Sequence, residues 1–296
     1  MNDILIGKSG LEITLCPPDM GTGYYRGTRF DHSGIFRRIV KDGFVLADTW
    51  FDGYDPYRHD TVCGNSEEFS ECGYDDASAG GVFLKPGVGL LVREDDSVYD
   101  HFRLYAVADP GRWRVEAAEE SVSFVHFLES DGWGYEYEKT VRIIDGSSYE
   151  IAHRLLNTGS KTIEGQTYNH NFFTFGNARP GPDIEIDFPF VPSGDWRSVY
   201  DSVALSGKGI RFSRILNEGE GSVFMGNLRP SDGKILPGVL FTQRAYGHEV
   251  TCVCDRSFDH IVFWSNHRVS CIEPFIPVRV LPKEEISWKY TYLMAD

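Results

Sequence analysis

Long apolar runs are missing from this chain of 296 residues, and so is any segment with apolar residues at helical spacing between good caps. The first absence excludes membrane-spanning helices, which need about 18 or more consecutive apolar residues. The N-terminal stretch Met1 to Lys8 has no basic segment ahead of an apolar run, so no export signal is expected and the expected location is the cytoplasm. Positive charge is also scarce. Lys plus Arg is 29 against 44 Asp plus Glu, a formal net charge of −15. Nucleic acid and anionic membrane surfaces are recognised through basic patches, so neither is expected as a partner. No CxxC pair occurs among Cys16, Cys63, Cys72, Cys252, Cys254 and Cys271. Reduced, buried thiols are therefore expected in place of disulfides or a metal site. Asp52-Gly-Tyr-Asp-Pro56 offers oxygen atoms but lacks a calcium-loop signature. Tandem repeats, low-complexity tracts and linkers are absent too. Pro180-Gly-Pro182 has strand patterns on both sides, so a single domain over residues 1–296 is expected.

Aromatic residues are abundant: 20 Phe, 15 Tyr and 6 Trp. They favour strands, and Tyr and Trp also line sugar sites, because each offers a flat apolar face with a polar tip. The dominant pattern is alternation broken by turn residues. Ser121–Leu128, Tyr135–Ile144, Tyr149–Leu156 and Thr162–Phe175 read as strands, with turns at Asp145-Gly146 and Asn157-Thr-Gly159. The second half continues in the same way from Ile210 to Leu293. Short helices or turns are expected at Ser66–Phe69 and Pro192–Tyr200. The pattern predicts an all-β protein, a large sandwich of antiparallel sheets. Two loop-rich stretches, Met20–Gly34 and Asp52–Gly81, are long enough to be functional.

Two places concentrate chemistry. In Tyr168-Asn-His-Asn-Phe-Phe173, strand alternation puts Gln166, Tyr168, His170 and Phe172 on one face. A histidine between aromatics is compatible with a satisfied core position. The flanking Asn169 and Asn171, poor strand formers, point instead to polar groups facing a cleft. The second place is Ser270-Cys-Ile-Glu-Pro-Phe-Ile-Pro277. Pro274 cannot donate to a ladder, so the strand is expected to end there with Glu273 at its exit. A carboxylate among apolar neighbours needs a partner or a role, unless it is an ordinary exposed strand-end residue.

These segments together resemble the aldose 1-epimerase, or galactose mutarotase-like, family. Its members carry Asn-His followed by aromatics on a strand, after a run of the type Leu-x-Asn-Thr, and a Glu-Pro on a late strand. Here those elements are Leu155-Leu-Asn-Thr158, Tyr168-Asn-His170 and Ile272-Glu-Pro274. The resemblance spans most of the chain and is strongest from Tyr135 onward. It implies the antiparallel β-supersandwich of that superfamily. Two first-half elements depart from it. Where well-known mutarotases have Asn-Arg and then Leu-His-Gly, this chain has Gly64-Asn-Ser-Glu-Glu-Phe69 and Phe83-Leu-Lys-Pro-Gly-Val-Gly89. Glu67, Glu68 and Lys85 thus replace the expected Arg and His types, which bears on sugar specificity.

The implied activity interconverts the α and β anomers of an aldose, with a small sugar as the partner and no metal or organic cofactor. Glu273 would take the proton of the anomeric hydroxyl and His170 would protonate the ring oxygen. The side chains are expected to converge with room for a sugar ring between them. Arg29, Lys85, Asn169, Tyr168, His101 and Glu68 are the expected substrate-binding residues. Three other functions suit the same fold class. The same chemistry on a sugar 6-phosphate needs basic residues at the cleft mouth. A polysaccharide lyase needs a further domain and export. A carbohydrate-binding protein would keep the fold without catalysis.

Overall fold

The computed structural model describes residues 3–198, 201–234 and 238–296. The chain opens with four antiparallel strands in sequence order: β1 (Ile4–Lys8), β2 (Leu11–Cys16), β3 (Ile35–Lys41) and β4 (Phe44–Ala47). β5 (Gly64–Phe69) follows a long loop, and β6 (Val82–Lys85), β7 (Gly89–Val92) and β8 (Val107–Asp109) make a small sheet of their own. The next strands are β9 (Arg112–Ala117), β10 (Ser121–Ser130), β11 (Trp133–Asp145), β12 (Ser148–Asn157) and β13 (Ile163–Phe172). At the Asp145-Gly146 turn the Asp145 carboxylate accepts the Ser147 N–H at 2.8 Å. This is the local bond that suits Asp to a tight turn.

The second half holds β14 (Ile184–Asp187), β15 (Pro192–Ser198), β16 (Val203–Ser206), β17 (Gly209–Phe212) and β18 (Val223–Pro230). It closes with β19 (Gly238–Ala245), β20 (His248–Cys254), β21 (His260–Ser265), β22 (Ser270–Val280) and β23 (Glu285–Ala295). No helix occurs among the described residues, and none is long and apolar enough to cross a membrane.

Two large antiparallel sheets carry the molecule. A ten-stranded sheet runs in the order β16-β17-β14-β19-β20-β23-β12-β11-β10-β9. A six-stranded sheet runs β15-β18-β21-β22-β13-β5. Strand alternation gives each an apolar inner face, and the two inner faces pack together. Phe69 of β5 meets Tyr137 and Trp288 edge-on, and Phe263 of β21 meets Phe212 of β17. All six cysteines are buried and reduced. Cys252 and Cys254 both lie on the inner face, two residues apart on β20.

Three local expectations are corrected. Ser66–Phe69 is strand, because β5 zips onto β13 with Phe69 opposite Thr167 and Ser66 opposite His170. Its polar run misled because those polar groups find partners inside the protein. Pro192–Ser198 is also strand, paired with β18; residues 199–200 lie outside the described residues. Pro274 does not end its strand. β22 continues to Val280, because its neighbour β21 still pairs at Pro274 with Ile261.

Candidate functional site

β13 and β22 are hydrogen-bonded neighbours from Ile163 opposite Val280 up to Tyr168 opposite Phe275. Beyond that point their regular pairing stops, and they meet again only at Phe173 opposite Ser270. Pro274, which has no N–H, sits in the gap. There the Asn171 side chain takes over, its Nδ2 donating to the Ile272 carbonyl at 2.6 Å and to the Asn169 carbonyl at 3.0 Å. Carrying the register two residues past Tyr168 and Phe275 puts His170 directly across from Glu273. Cross-strand partners on one face lie close together. His170 Nε2 is 3.2 Å from Glu273 Oε1. The expected convergence is present, but no sugar ring fits between the two; a ligand has to lie over both.

The outer face of the same sheet forms an open cleft of about 450 Å³ around this pair, within the usual range for small-molecule sites. Trp50, Phe172, Phe224, Val262, Trp264 and Phe275 supply apolar walls. The His170 ring is sandwiched by packing: it stacks on Phe172 with centroids 3.9 Å apart and meets Trp264 edge-on.

Glu68 organises the polar end. It pairs with Tyr168 across β5 and β13, so both side chains share the cleft face with His170. Tyr168 donates its hydroxyl to the Glu68 carboxylate. Arg29 donates from Nε to Glu68 at 2.7 Å and from Nη2 to the Tyr168 oxygen at 3.1 Å. Lys85 Nζ reaches Glu68 at 3.1 Å, and His101 Nδ1 lies 3.4 Å from the same oxygen. Arg29 comes from the long loop after β2. Asp31 N–H bonds the Glu67 carbonyl at 2.8 Å and His32 N–H bonds the Gly87 carbonyl at 3.0 Å, which lays the loop along the edge of β5. Gly87 has φ +75°, and a Cβ there would come within 2.3 Å of Asp31 Oδ1. Only glycine permits both that backbone and that approach.

Burial shapes the protonation of the pair. His170 and Glu273 are each 5% exposed. Burial pushes the Glu273 carboxyl up to about 8, although the positive charge of Arg29 pulls the other way. Burial, followed by the same Arg29 charge, holds His170 well below the usual histidine value. Burial thus disfavours charge on both groups and favours a neutral imidazole beside a protonated carboxyl group. Glu68 behaves oppositely. Burial would raise it, but Lys85 and Arg29 outweigh burial and hold it ionised, well below the usual carboxylate range.

Of the residues anticipated from the sequence, His170, Glu273, Arg29, Tyr168 and His101 line the cleft. Glu68 lines the depression adjoining it. Two corrections follow from alternation and depth. Lys85 is fully buried under Glu68, with its Nζ also bonded to the Tyr99 hydroxyl at 3.0 Å, so it reaches a ligand only through Glu68. Asn169 points to the opposite face of β13. Its Nδ2 donates to the Tyr292 hydroxyl of the other sheet at 3.2 Å. Asn171 also faces inward, bonded to Asn65 at 2.8 Å and to Tyr292 at 2.7 Å. The two asparagines thus link the sheets and do not mark the cleft. Sequence reasoning missed Trp50, His59, Arg197, Phe224 and Trp264. Alternation along β21 shows that Val262 and Trp264 share a face, and the short turn to Ser270 makes β21 and β22 a hairpin, but nothing in the sequence says that β22 lies beside β13. Among the described residues no group of three or more His, Cys, Asp or Glu is arranged to hold a metal ion.

No protein-family model matches the chain, and a search of curated proteins finds no match. Solved structures do match over essentially the full length. The Slr1438 protein of Synechocystis sp. PCC 6803 is 14% identical, covering 99% of this chain and 96% of that one, with a TM-score of 0.62. A galactose mutarotase-like protein from Clostridium acetobutylicum is 12% identical, covering 99% and 95%, with a TM-score of 0.60. A putative aldose 1-epimerase from Escherichia coli K12 is 10% identical, covering 99% of both chains, with a TM-score of 0.59. At these identities the likeness establishes the fold: an all-β, antiparallel sandwich of the galactose mutarotase-like type.

Proposed function

We propose that this chain, as one domain over residues 1–296, interconverts the α and β anomers of a monosaccharide by opening and reclosing its ring. One observation carries the reading: His170 and Glu273 stand opposite each other, 3.2 Å apart, in a cleft with aromatic walls. Mutarotation needs a base at the anomeric hydroxyl and an acid at the ring oxygen, and no net proton is gained or lost. A neutral imidazole beside a protonated carboxyl group supplies both. Burial favours the neutral form of each group, which suits Glu273 to the acid role and His170 to the base role, the reverse of what the resemblance implies. His170 takes the hydroxyl proton while Glu273 gives its own to the ring oxygen as the C–O bond breaks. The open-chain sugar turns about the bond between its first two carbons. Reclosure on the other carbonyl face reverses both transfers and restores the pair. The Trp264 ring in the cleft wall, which no other ring stacks upon among the described residues, suits the apolar face of a sugar ring.

The test is anomer exchange measured by NMR over a panel of monosaccharides. Each positioned proton transfer is worth roughly 10²–10⁴-fold. His170→Asn and Glu273→Gln should each lower turnover by that order. The double variant should fall far short of the product, because both residues serve one proton circuit. Full activity in both single variants would refute the reading and leave sugar binding without catalysis.

A further inference from the structure

The cleft does not end at His170 and Glu273. Strand alternation carries its floor one step further, to Tyr168 on β13 and Phe275 on β22, which are cross-strand partners. Their rings stack with centroids 4.2 Å apart. Both line the cleft, and both line an adjoining depression of about 350 Å³. His101 and Phe102 also belong to both hollows. The two hollows therefore share a floor and a wall and make one groove, with the catalytic pair at one end of it.

The depression has an apolar surface and a free acceptor. Phe102 is 54% exposed, yet its loop is fixed. The Phe102 N–H donates to the Asp100 carboxylate at 2.9 Å, and the Asp100 N–H donates to the Tyr105 hydroxyl at 2.9 Å. The Tyr105 N–H in turn donates to the Thr28 hydroxyl at 3.1 Å. A fixed, exposed aromatic ring offers an apolar surface to a sugar. Across from it, Ser70 and Glu71 follow β5. Ser70 stays fastened to β13: its N–H donates to the Gln166 carbonyl at 2.8 Å, and its hydroxyl accepts the Gln166 N–H at 3.1 Å. Glu71 is thereby held in the wall. Its carboxylate is half-buried and has no partner among the described residues beyond its own backbone N–H. Such a group gains from a hydroxyl donor. Charge in the groove is balanced. Arg29, Lys85, Arg58 and Arg197 are equalled in number by Glu68, Asp60, Glu71 and Asp100. A balanced groove with hydrogen-bonding groups of both kinds suits an uncharged, hydroxyl-rich ligand longer than one ring.

We infer that the groove takes a neutral reducing disaccharide, or the reducing end of a longer oligosaccharide, with the second ring in the depression against Phe102 and Glu71. The inference rests on the anomerase reading for which ring reacts. The anomeric carbon over His170 and Glu273 has to be a free hemiacetal, so the second ring is joined through another oxygen and points past Tyr168. The preference for two rings does not depend on that reading. Glucose and galactose are each compared with disaccharides that carry them at the reducing end, linked through O3, O4 or O6. Anomer exchange above the spontaneous rate is followed by NMR with the full chain. At least one disaccharide should exceed its own free hexose in kcat/KM by about tenfold or more, the worth of one hydrogen bond to a charged group. Which linkage wins identifies the oxygen that carries the second ring. Glu71→Ala should remove the advantage through KM and leave the free hexose unchanged, and Glu71→Gln should restore part of it. An advantage that Glu71→Ala leaves intact overturns the placement of the second ring. A free hexose handled as well as every disaccharide overturns the inference while leaving the anomerase reading intact. If no sugar is turned over, calorimetric titration with the same sugars separates the two ideas. A disaccharide bound more tightly than its hexose, and weakened by Glu71→Ala, upholds the inference and removes the anomerase reading; equal binding or none overturns the inference.

Discussion

His170 and Glu273 meet because of strand register, and burial favours the neutral form of each. This sets a pH dependence. Above about 8 Glu273 loses its proton, and the pair has no acid. At a pH well below 6.5 His170 gains one, and the pair has no base. The kcat/KM profile should therefore have an alkaline limb near 8 and an acid limb well below 6.5. In the residual activity of Glu273→Gln the alkaline limb should vanish; its persistence would place that titration elsewhere. Stability carries the same signature. A carboxyl whose pKa is raised by folding contributes fully below the unfolded value of 4.5, and that contribution is lost as pH rises toward 8. Urea unfolding of the wild type and Glu273→Gln between these limits should show the wild type losing more stability as pH rises.

At the level of strands, the cleft exists because β13 and β22 part where Pro274 removes a donor. The opening is bridged by one side chain. Asn171 bonds the Ile272 and Asn169 carbonyls across and along the gap, and Asn65 and Tyr292 behind it. Asn171→Ala would leave several of these buried groups without partners, each costing about 1–3 kcal/mol. Expected is a fall of at least that size in unfolding free energy, read from the urea midpoint. Activity should fall further than the folded fraction accounts for, because the gap holds His170 against Glu273. An Asn171→Ala protein with wild-type stability would show that the backbone alone keeps the strands in place.

Across the whole molecule, the two sheets are joined by an ion cluster in the interior as well as by apolar packing. Glu67 and Asp31 flank Lys139 at 3.7 and 3.5 Å, and His153, stacked on Trp288, touches Glu67. Thr167 and Tyr137 add hydrogen bonds to the carboxylates, at 3.0 Å in each case. Burial would raise Glu67, but the charge of His153 and its neighbours prevails and keeps it lowered. Its stabilisation is thus present above the unfolded value of 4.5 and is lost as pH falls through the lower folded value. Removing the cation should be severe. Lys139→Met leaves buried carboxylates short of a partner, and a loss of about 3–5 kcal/mol in urea unfolding is expected. A near-neutral effect would mean that the cluster is held by the packing around it.

What the sequence by itself determined was the local physics. Alternation and turn residues specified the antiparallel strands from Ser121 onward, and the absence of helical spacing specified an all-β fold. The face shared by Tyr168, His170 and Phe172 was legible for the same reason: on a strand, orientation depends only on parity. Parity also contained the inward direction of Asn169 and Asn171, which polarity alone obscured. The tertiary structure decided which strands became neighbours. Only the order β21-β22-β13-β5 brings Trp264, Glu273, His170 and Glu68 to one cleft, and only register sets His170 against Glu273 at contact distance. Depth was decided there as well. Lys85 reads as a substrate contact in the sequence, yet Glu68 lies over it, because burial is a property of the assembled sheets and is not encoded in any one residue.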